Sequence, residues 1–170
     1  MIKVFEFKPE NYYLKAKTQL DSAINLDGLV AAEEFSLDFN KEPPIKRFTY
    51  KLSLDSVSKK KQGIFIVDMI GNGLSSRAVI RKGKLTFIEQ QTVAGQVFTL
   101  IDDETNICKG GRTGIWIKNR FYEADSQGKI LIPFSSSRSE QAILIHNDFA
   151  ELTDIQLKGE NFEFKCAYIY

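Results

Sequence analysis

Apolar and polar residues alternate with a period of two along most of this chain, the repeat of a strand that buries one face. Phe48-Thr49-Tyr50-Lys51-Leu52-Ser53-Leu54 shows the alternation most cleanly and predicts a half-buried strand. Gly63–Ile70 is apolar at nearly every position between glycines, which predicts a strand covered on both faces at the centre of a first module. Gly71-Asn72-Gly73 then supplies residues that accept positive φ, and the chain returns through Ser75-Ser76-Arg77 to Ala78-Val79-Ile80, as a hairpin would. Lys82-Gly83-Lys84 marks another turn, and Leu85-Thr86-Phe87-Ile88 continues the meander. The polar stretch Glu89–Thr92 reads as the hand-over to a second module, so the expected division is residues 1–92 and 93–170.

The second half repeats the pattern in shorter units, at Gln96–Ile101, Gly114–Ile117, Arg120–Tyr122, Lys129–Ile132 and Ala142–Ile145. Asp102–Gly111, Lys118-Asn119, Asp125–Gly128 and Ser135–Ser139 separate them as loops and turns. Many short strands at near-regular spacing predict an all-β chain of two consecutive antiparallel β-sandwich domains of immunoglobulin-like kind. Between Pro9 and Ala32, Tyr13, Leu20 and Ile24 fall close to helical spacing, so a short helix is open there, whereas Glu34–Phe39 resumes a period of two. Phe162–Tyr170 reads as a strand running to the last residue, which suggests a piece of a longer chain and an apolar edge able to self-associate.

Composition narrows the function more than it defines it. At 43% hydrophobic and 26% charged residues the chain has the material for a core, and a net charge of +1 gives no overall field for nucleic acid. Split after Thr92, fifteen basic against eleven acidic residues give +4 and eight against eleven give −3, an asymmetry expected of solvated surfaces. Lys59-Lys60-Lys61 is the one dense basic run and reads as a loop. No stretch approaches membrane-spanning length.

Catalytic, cofactor-binding and metal-ligating residues are all expected to be absent. His146 is the sole histidine, so no histidine pair or triad can be assembled. Asp102-Asp103-Glu104 with Asn106 has oxygen ligands for a hard cation but lacks the glycine and distal glutamate of a calcium loop. Cys108 and Cys166 lack C-x-x-C spacing, and whether they pair stays open. Trp116, Phe121 and Tyr122 are the candidate binding surface, flat rings on which a sugar or an extended peptide could stack. One face of the Trp116 strand must be core, either that of Ile115 and Ile117 or that of Trp116.

With these residues laid out, Gly63–Gly83 resembles a passage of bacterial-type alpha-2-macroglobulin family proteins, in which a G-x-Y-x-V-E strand precedes a hairpin and an A-L-V strand. Gly95–Asp103, Ala124–Ile130 and Leu144–Leu152 are similar to the strands and turns that follow there, so the resemblance runs from about Leu26 to Leu157. It implies two macroglobulin-type sandwiches from the non-catalytic shell of a protease-trapping protein, and an extracellular, periplasmic or cell-surface setting. The family's reactive thioester is absent, since no G-C-G-E-Q occurs around Cys108 or Cys166.

The leading expectation is thus a structural module pair, without turnover or cofactor, whose partners are neighbouring domains of the same protein or other proteins, with no nucleic acid and no membrane insertion. An independent sandwich domain binding carbohydrate or peptide through Trp116, Phe121 and Tyr122 is the alternative. An enzyme using Asp102-Asp103-Glu104 or His146 ranks last, because no second set of groups completes a site.

Overall fold

A computed structural model describes residues 1–39, 43, 47 and 49–160. Its strands form three antiparallel sheets, an all-β fold. In chain order the elements are β1 (Ile2–Phe7), α1 (Glu10–Ala16), β2 (Glu33–Phe35), α2 (Asp55–Ser58), β3 (Gly63–Gly71), β4 (Leu74–Lys82), β5 (Thr86–Thr92), β6 (Gly95–Ile101), β7 (Thr113–Ile117), β8 (Arg120–Glu123), β9 (Lys129–Ile132), β10 (Arg138–His146) and β11 (Phe149–Leu157). They make two compact units, Met1–Lys84 with Asp148–Ala150, and Leu85–Asn147 with the residues from Glu151 onward. The units part between Lys84 and Leu85 and not after Thr92. The reason is that β5 is paired with β6 along its whole length, from Thr86 opposite Ile101 to Thr92 opposite Gly95, so Glu89–Thr92 is strand and not linker.

Unit 1 is built on a sheet of order β2-β1-β3-β4. The expected central strand is β3, whose residues 64–68 are all buried, and it returns into β4 through the two-residue turn Asn72-Gly73, both at positive φ. Ile2, Val4, Phe65 and Val67 form the core on one face, and Phe35, Leu37, Leu52, Leu54 and Val57 pack onto it. The strand expected at Phe48–Leu54 does not form: Phe48 lies outside the described residues, and 49–54 join no ladder before α2 begins. Leu52 and Leu54 still turn into the core, so the alternation there records burial without strand pairing. The helix left open between Pro9 and Ala32 is α1, starting after Pro9 and ending at Lys17 in the left-handed region. Its Tyr13 is fully buried, and Arg81 donates to the Tyr13 hydroxyl at 3.1 Å. Arg77 bonds the Ile24 carbonyl at 2.9 Å and pairs with Asp68 at 3.3 Å, so arginines of β4 strap the irregular segment after α1 to the sheet.

Unit 2 is a sandwich of a four-stranded sheet, β11-β10-β7-β8, and a three-stranded sheet, β5-β6-β9. The register places Phe98 opposite Ile130 and Gln96 opposite Ile132, so Phe98, Leu100, Ile130 and Ile132 line one inner face. In the four-stranded sheet Ile115, Ile117, Ala142 and Leu144 share the corresponding face, all within 1% of complete burial. β11 was not expected from the sequence, and Phe162–Tyr170, which was expected as a strand, lies outside the described residues.

Gln96 is the polar exception in this core, completely buried among apolar neighbours. Its Nε2 donates to the Gln156 carbonyl at 2.9 Å and to Glu89 Oε1 at 3.1 Å, and its Oε1 accepts the Lys158 backbone N–H at 2.7 Å. Lys158 Nζ closes the ring onto Glu89. One side chain of β6 thus fixes the end of β11 in the other sheet, with both amide hydrogens and its oxygen used. Burial raises the Glu89 pKa, but hydrogen bonds from Lys158 and Gln96, with the Lys158 charge, more than offset this and hold the carboxyl below its usual range. Gln96→Leu keeps the volume and leaves the Gln156 and Lys158 backbone groups without this partner, at a cost of about 2 kcal/mol. In urea titrations followed by fluorescence of Trp116, the sole tryptophan, the variant is expected to unfold at a lower midpoint. An unchanged midpoint would remove Gln96 from this role.

Candidate functional site

The three aromatic residues singled out in the sequence do not make one platform. Trp116 on β7 lies directly opposite Phe121 on β8, so their rings share the outer face of the sheet, 6.3 Å apart and tilted by 31°. Tyr122 pairs with Ile115, whose face is core, and so points to the other side at the sheet edge. The open choice between faces is resolved: Ile115 and Ile117 are core and Trp116 is half-buried on the outside. Both smaller rings are already covered by cations, Arg112 lying 5.2 Å from the Phe121 centroid and Arg120 lying 4.9 Å from that of Tyr122. Gly114 gives Phe121 its seat, since a Cβ there would stand 2.5 Å from the Phe121 ring. Trp116, Phe121 and Tyr122 are each partly buried in this arrangement.

The acidic loop is held by its own backbone. Asp102 Oδ1 accepts the amides of Glu104 and Asn106, at 3.0 and 2.8 Å, and Oδ2 accepts Asn106 Nδ2 at 3.2 Å. The backbone amide of Asn106 is the largest cause holding the Asp102 carboxyl below its usual range. Among the described residues no group of three or more acidic, histidine or cysteine side chains is placed to hold a metal ion. Cys108 is a free thiol, buried beneath the Asp102 loop, and burial with the Asp102 charge pushes its pKa to about 11, so it is protonated and a poor nucleophile. Cys166 lies outside the described residues.

His146 ends β10 within a chain of hydrogen bonds whose direction can be assigned. The Thr113 hydroxyl donates to the Gly110 carbonyl at 2.7 Å, so toward His146 Nδ1, also at 2.7 Å, it can only accept. Nδ1 therefore carries the proton, and Nε2 accepts from Asn147 Nδ2 at 3.2 Å. The ring is a neutral strut between β7 and the β10–β11 turn.

Two surface features of unit 1 were not read from the sequence. A groove of about 840 Å³ is lined by Ile2, Leu37, Phe39, Tyr50, Leu52 and Met69, with the Phe39 and Tyr50 rings edge-to-face 5.5 Å apart. At the open end of the β3–β4 hairpin, Gly63 lies opposite Lys82, and a Cβ on Gly83 would stand 2.8 Å from the Gln62 side chain. The run Lys59-Lys60-Lys61 is thereby brought beside Lys82-Gly83-Lys84. The only signal in the sequence was basic residues on both flanks of a predicted hairpin. Among the described residues no helix is long and apolar enough to cross a membrane.

The polar clusters described above are engaged in structural bonds. Residues 1–83 match the family described as the AbpF first immunoglobulin-like domain, so unit 1 is similar to an immunoglobulin-like module. Actin-binding protein F of Dictyostelium discoideum is 40% identical over 145 residues, which cover 85% of this chain and 6% of that relative. This chain therefore spans a small part of the relative's length. No solved structure matches the chain. The two matches support a non-catalytic interaction module. They overturn the resemblance to alpha-2-macroglobulins, and with it the protease-trapping role that it implied.

Burial is the larger influence on His146 and lowers its pKa below 6.5, against the opposing charge of Asp102. A histidine whose folded pKa is depressed contributes stability that is present above its unfolded pKa and is lost as pH falls through the folded value. Protonation would also turn the Asn147 contact into two facing donors. A proton NMR titration is expected to give a His146 midpoint below 6.5, with unit 2 losing stability as the pH falls from 6.5 to that midpoint; a midpoint above 6.5 contradicts the assigned bonding.

Proposed function

We propose that this chain is a pair of non-catalytic immunoglobulin-like modules of a longer actin-associated protein and that it contacts actin filaments itself. The observation that carries the reading is the 40% identity to Actin-binding protein F over 145 residues. Unit 1 as bounded above holds 87 residues and unit 2 holds 83, so a match of that length has to run through both. Such continuity supports a role for the pair as one functional stretch.

The physical character of the surface supports contact and not turnover. Asp102 is saturated by its own loop, Cys108 is protonated and buried, and His146 is held neutral between Thr113 and Asn147. The Asp102 charge reaches both Cys108 and His146, yet the thiol stays protonated and no three such side chains are placed to hold a metal ion among the described residues. In this reading Trp116 and Phe121 pack the outer face of their own sheet and do not serve a sugar or peptide ligand. Contacts are left to exposed loops, strand edges and charged ends, where immunoglobulin-like scaffolds carry recognition.

Co-sedimentation with polymerised actin at near-physiological salt tests the proposal. The 170-residue chain is expected to pellet with filaments in a saturable manner and to remain in the supernatant without them. A chain that stays in solution across a wide range of filament concentrations would refute direct contact.

A further inference from the structure

The basic end of unit 1 has more charge than its fold uses. Lys59, Lys60, Lys61, Lys82 and Lys84 are gathered where α2 runs into β3 and β4 leaves the sheet, by the pairing of Gly63 with Lys82 and the close approach of Gln62 to Gly83. Lys82 is committed to the fold, since its Nζ donates to the carbonyls of Val57 and Ser58, at 3.0 and 3.2 Å, and so caps the end of α2. Lys60 pairs with Glu6, and Lys59 pairs loosely with Asp55 at 3.7 Å. Lys61 and Lys84 are exposed and have no ion pair among the described residues. Asp55 and Glu6 pair with Lys59 and Lys60, whose charges also reach Glu33 and Asp148, so the unbalanced charge at this end rests on Lys61 and Lys84, in a chain whose overall charge is only +1. Residues 1–84 hold fifteen basic against ten acidic side chains, so the imbalance belongs to this part of the chain. Lys61 and Lys84 add repulsion here without an ion pair among the described residues, whereas a local excess of positive charge attracts and orients an oppositely charged partner.

We infer that this basic end is a docking surface for an acidic protein surface, and that on the actin reading proposed above it is the part of the chain that meets the filament. An acidic protein is favoured over a lipid or nucleic acid surface for two reasons. The patch is compact and lacks exposed apolar side chains that would enter a bilayer, and Lys59–Lys61 and Lys82–Lys84 carry no aromatic residues on which bases would stack. The contact is electrostatic in origin, so it weakens as salt shortens the range of the field.

The test compares the 170-residue chain with Lys61→Glu/Lys84→Glu, which leaves the structural bonds of Lys59, Lys60 and Lys82 in place. Lys109→Glu/Lys129→Glu, two exposed lysines of unit 2, makes the same change in net charge elsewhere. Circular dichroism and Trp116 fluorescence confirm that all three are folded. Each is measured by co-sedimentation with actin filaments at low and raised salt, by binding to poly-L-glutamate, and by flotation with phosphatidylserine vesicles. The expected result is filament binding weakened about tenfold or more by Lys61→Glu/Lys84→Glu, and about twofold or less by the control pair. Filament binding that is equal in the first variant, or equally weakened in both, overturns the inference while leaving the actin reading intact. Binding to poly-L-glutamate through this patch, with none to filaments, upholds the acidic-protein surface and overturns the actin reading. Binding to neither protein probe, or patch-dependent binding to vesicles that exceeds both, overturns the inference.

Discussion

The buried amide of Gln96 is the constraint on which unit 2 depends. It lies in a row of apolar residues, Phe98, Ile130 and Ile132 among them, where an aliphatic side chain would pack equally well and demand nothing of its surroundings. A buried amide is different because it must be satisfied in one geometry, and here that geometry needs Glu89 from β5 and the backbone at Gln156 and Lys158 at the end of β11. Apolar packing brings the two sheets together; the amide selects where along β11 they meet. A slip of β11 by one residue would strand the amide and turn the strand's buried residues outward. The same link extends to Ser135, whose amide donates to the Lys158 carbonyl and so ties the segment before β10 to the same point.

Unit 1 solves a related problem by other means. Its sheet is covered by irregular chain, and polar side chains hold that chain down: Arg77 and Arg81 reach the segment after α1, Glu33 accepts the Ser56 amide at 2.8 Å, and Lys82 caps α2. Once those charges are committed, Lys61 and Lys84 are left exposed and without an ion pair among the described residues. The candidate surface is thus identified by subtracting from the charged residues those that the fold already uses. Asp102 and His146 are likewise engaged in hydrogen bonds within unit 2, and Cys108 is buried there.

Local order was legible wherever one segment settled its own environment. β3 and β6 to β9 follow directly from apolar runs between turn residues, and the turns at Asn72-Gly73 and Lys118-Asn119 lie at positive φ, which Asn and Gly accept readily and Lys118 does not. What was not legible depended on partners distant in sequence. Thr49–Leu54 alternates like a strand but has no ladder to join, and Glu89–Thr92 looks like a linker until β6 is beside it. Phe149–Leu157 mixes charge into its apolar pattern and becomes a strand at the edge of the four-stranded sheet. Tyr122 was grouped with Trp116 and Phe121 by nearness in sequence, although neighbours in a strand point to opposite faces. The macroglobulin resemblance rested on strand-and-turn patterns of this local kind, which many sandwich proteins share, and 40% identity over 145 residues outweighs them. Gln96 carried no signal in the sequence, because a single glutamine in a strand is ordinarily on the solvent side.

The central claim is that the sheets serve as frame and the basic end of unit 1 makes the contact. Amide hydrogen exchange of the 170-residue chain, with and without saturating actin filaments, tests it most directly. The account predicts slowed exchange confined to the neighbourhood of residues 59–62 and 82–84, with β7 and β8 unchanged. Protection centred on Trp116 and Phe121, with residues 59–62 and 82–84 unaffected, would contradict it.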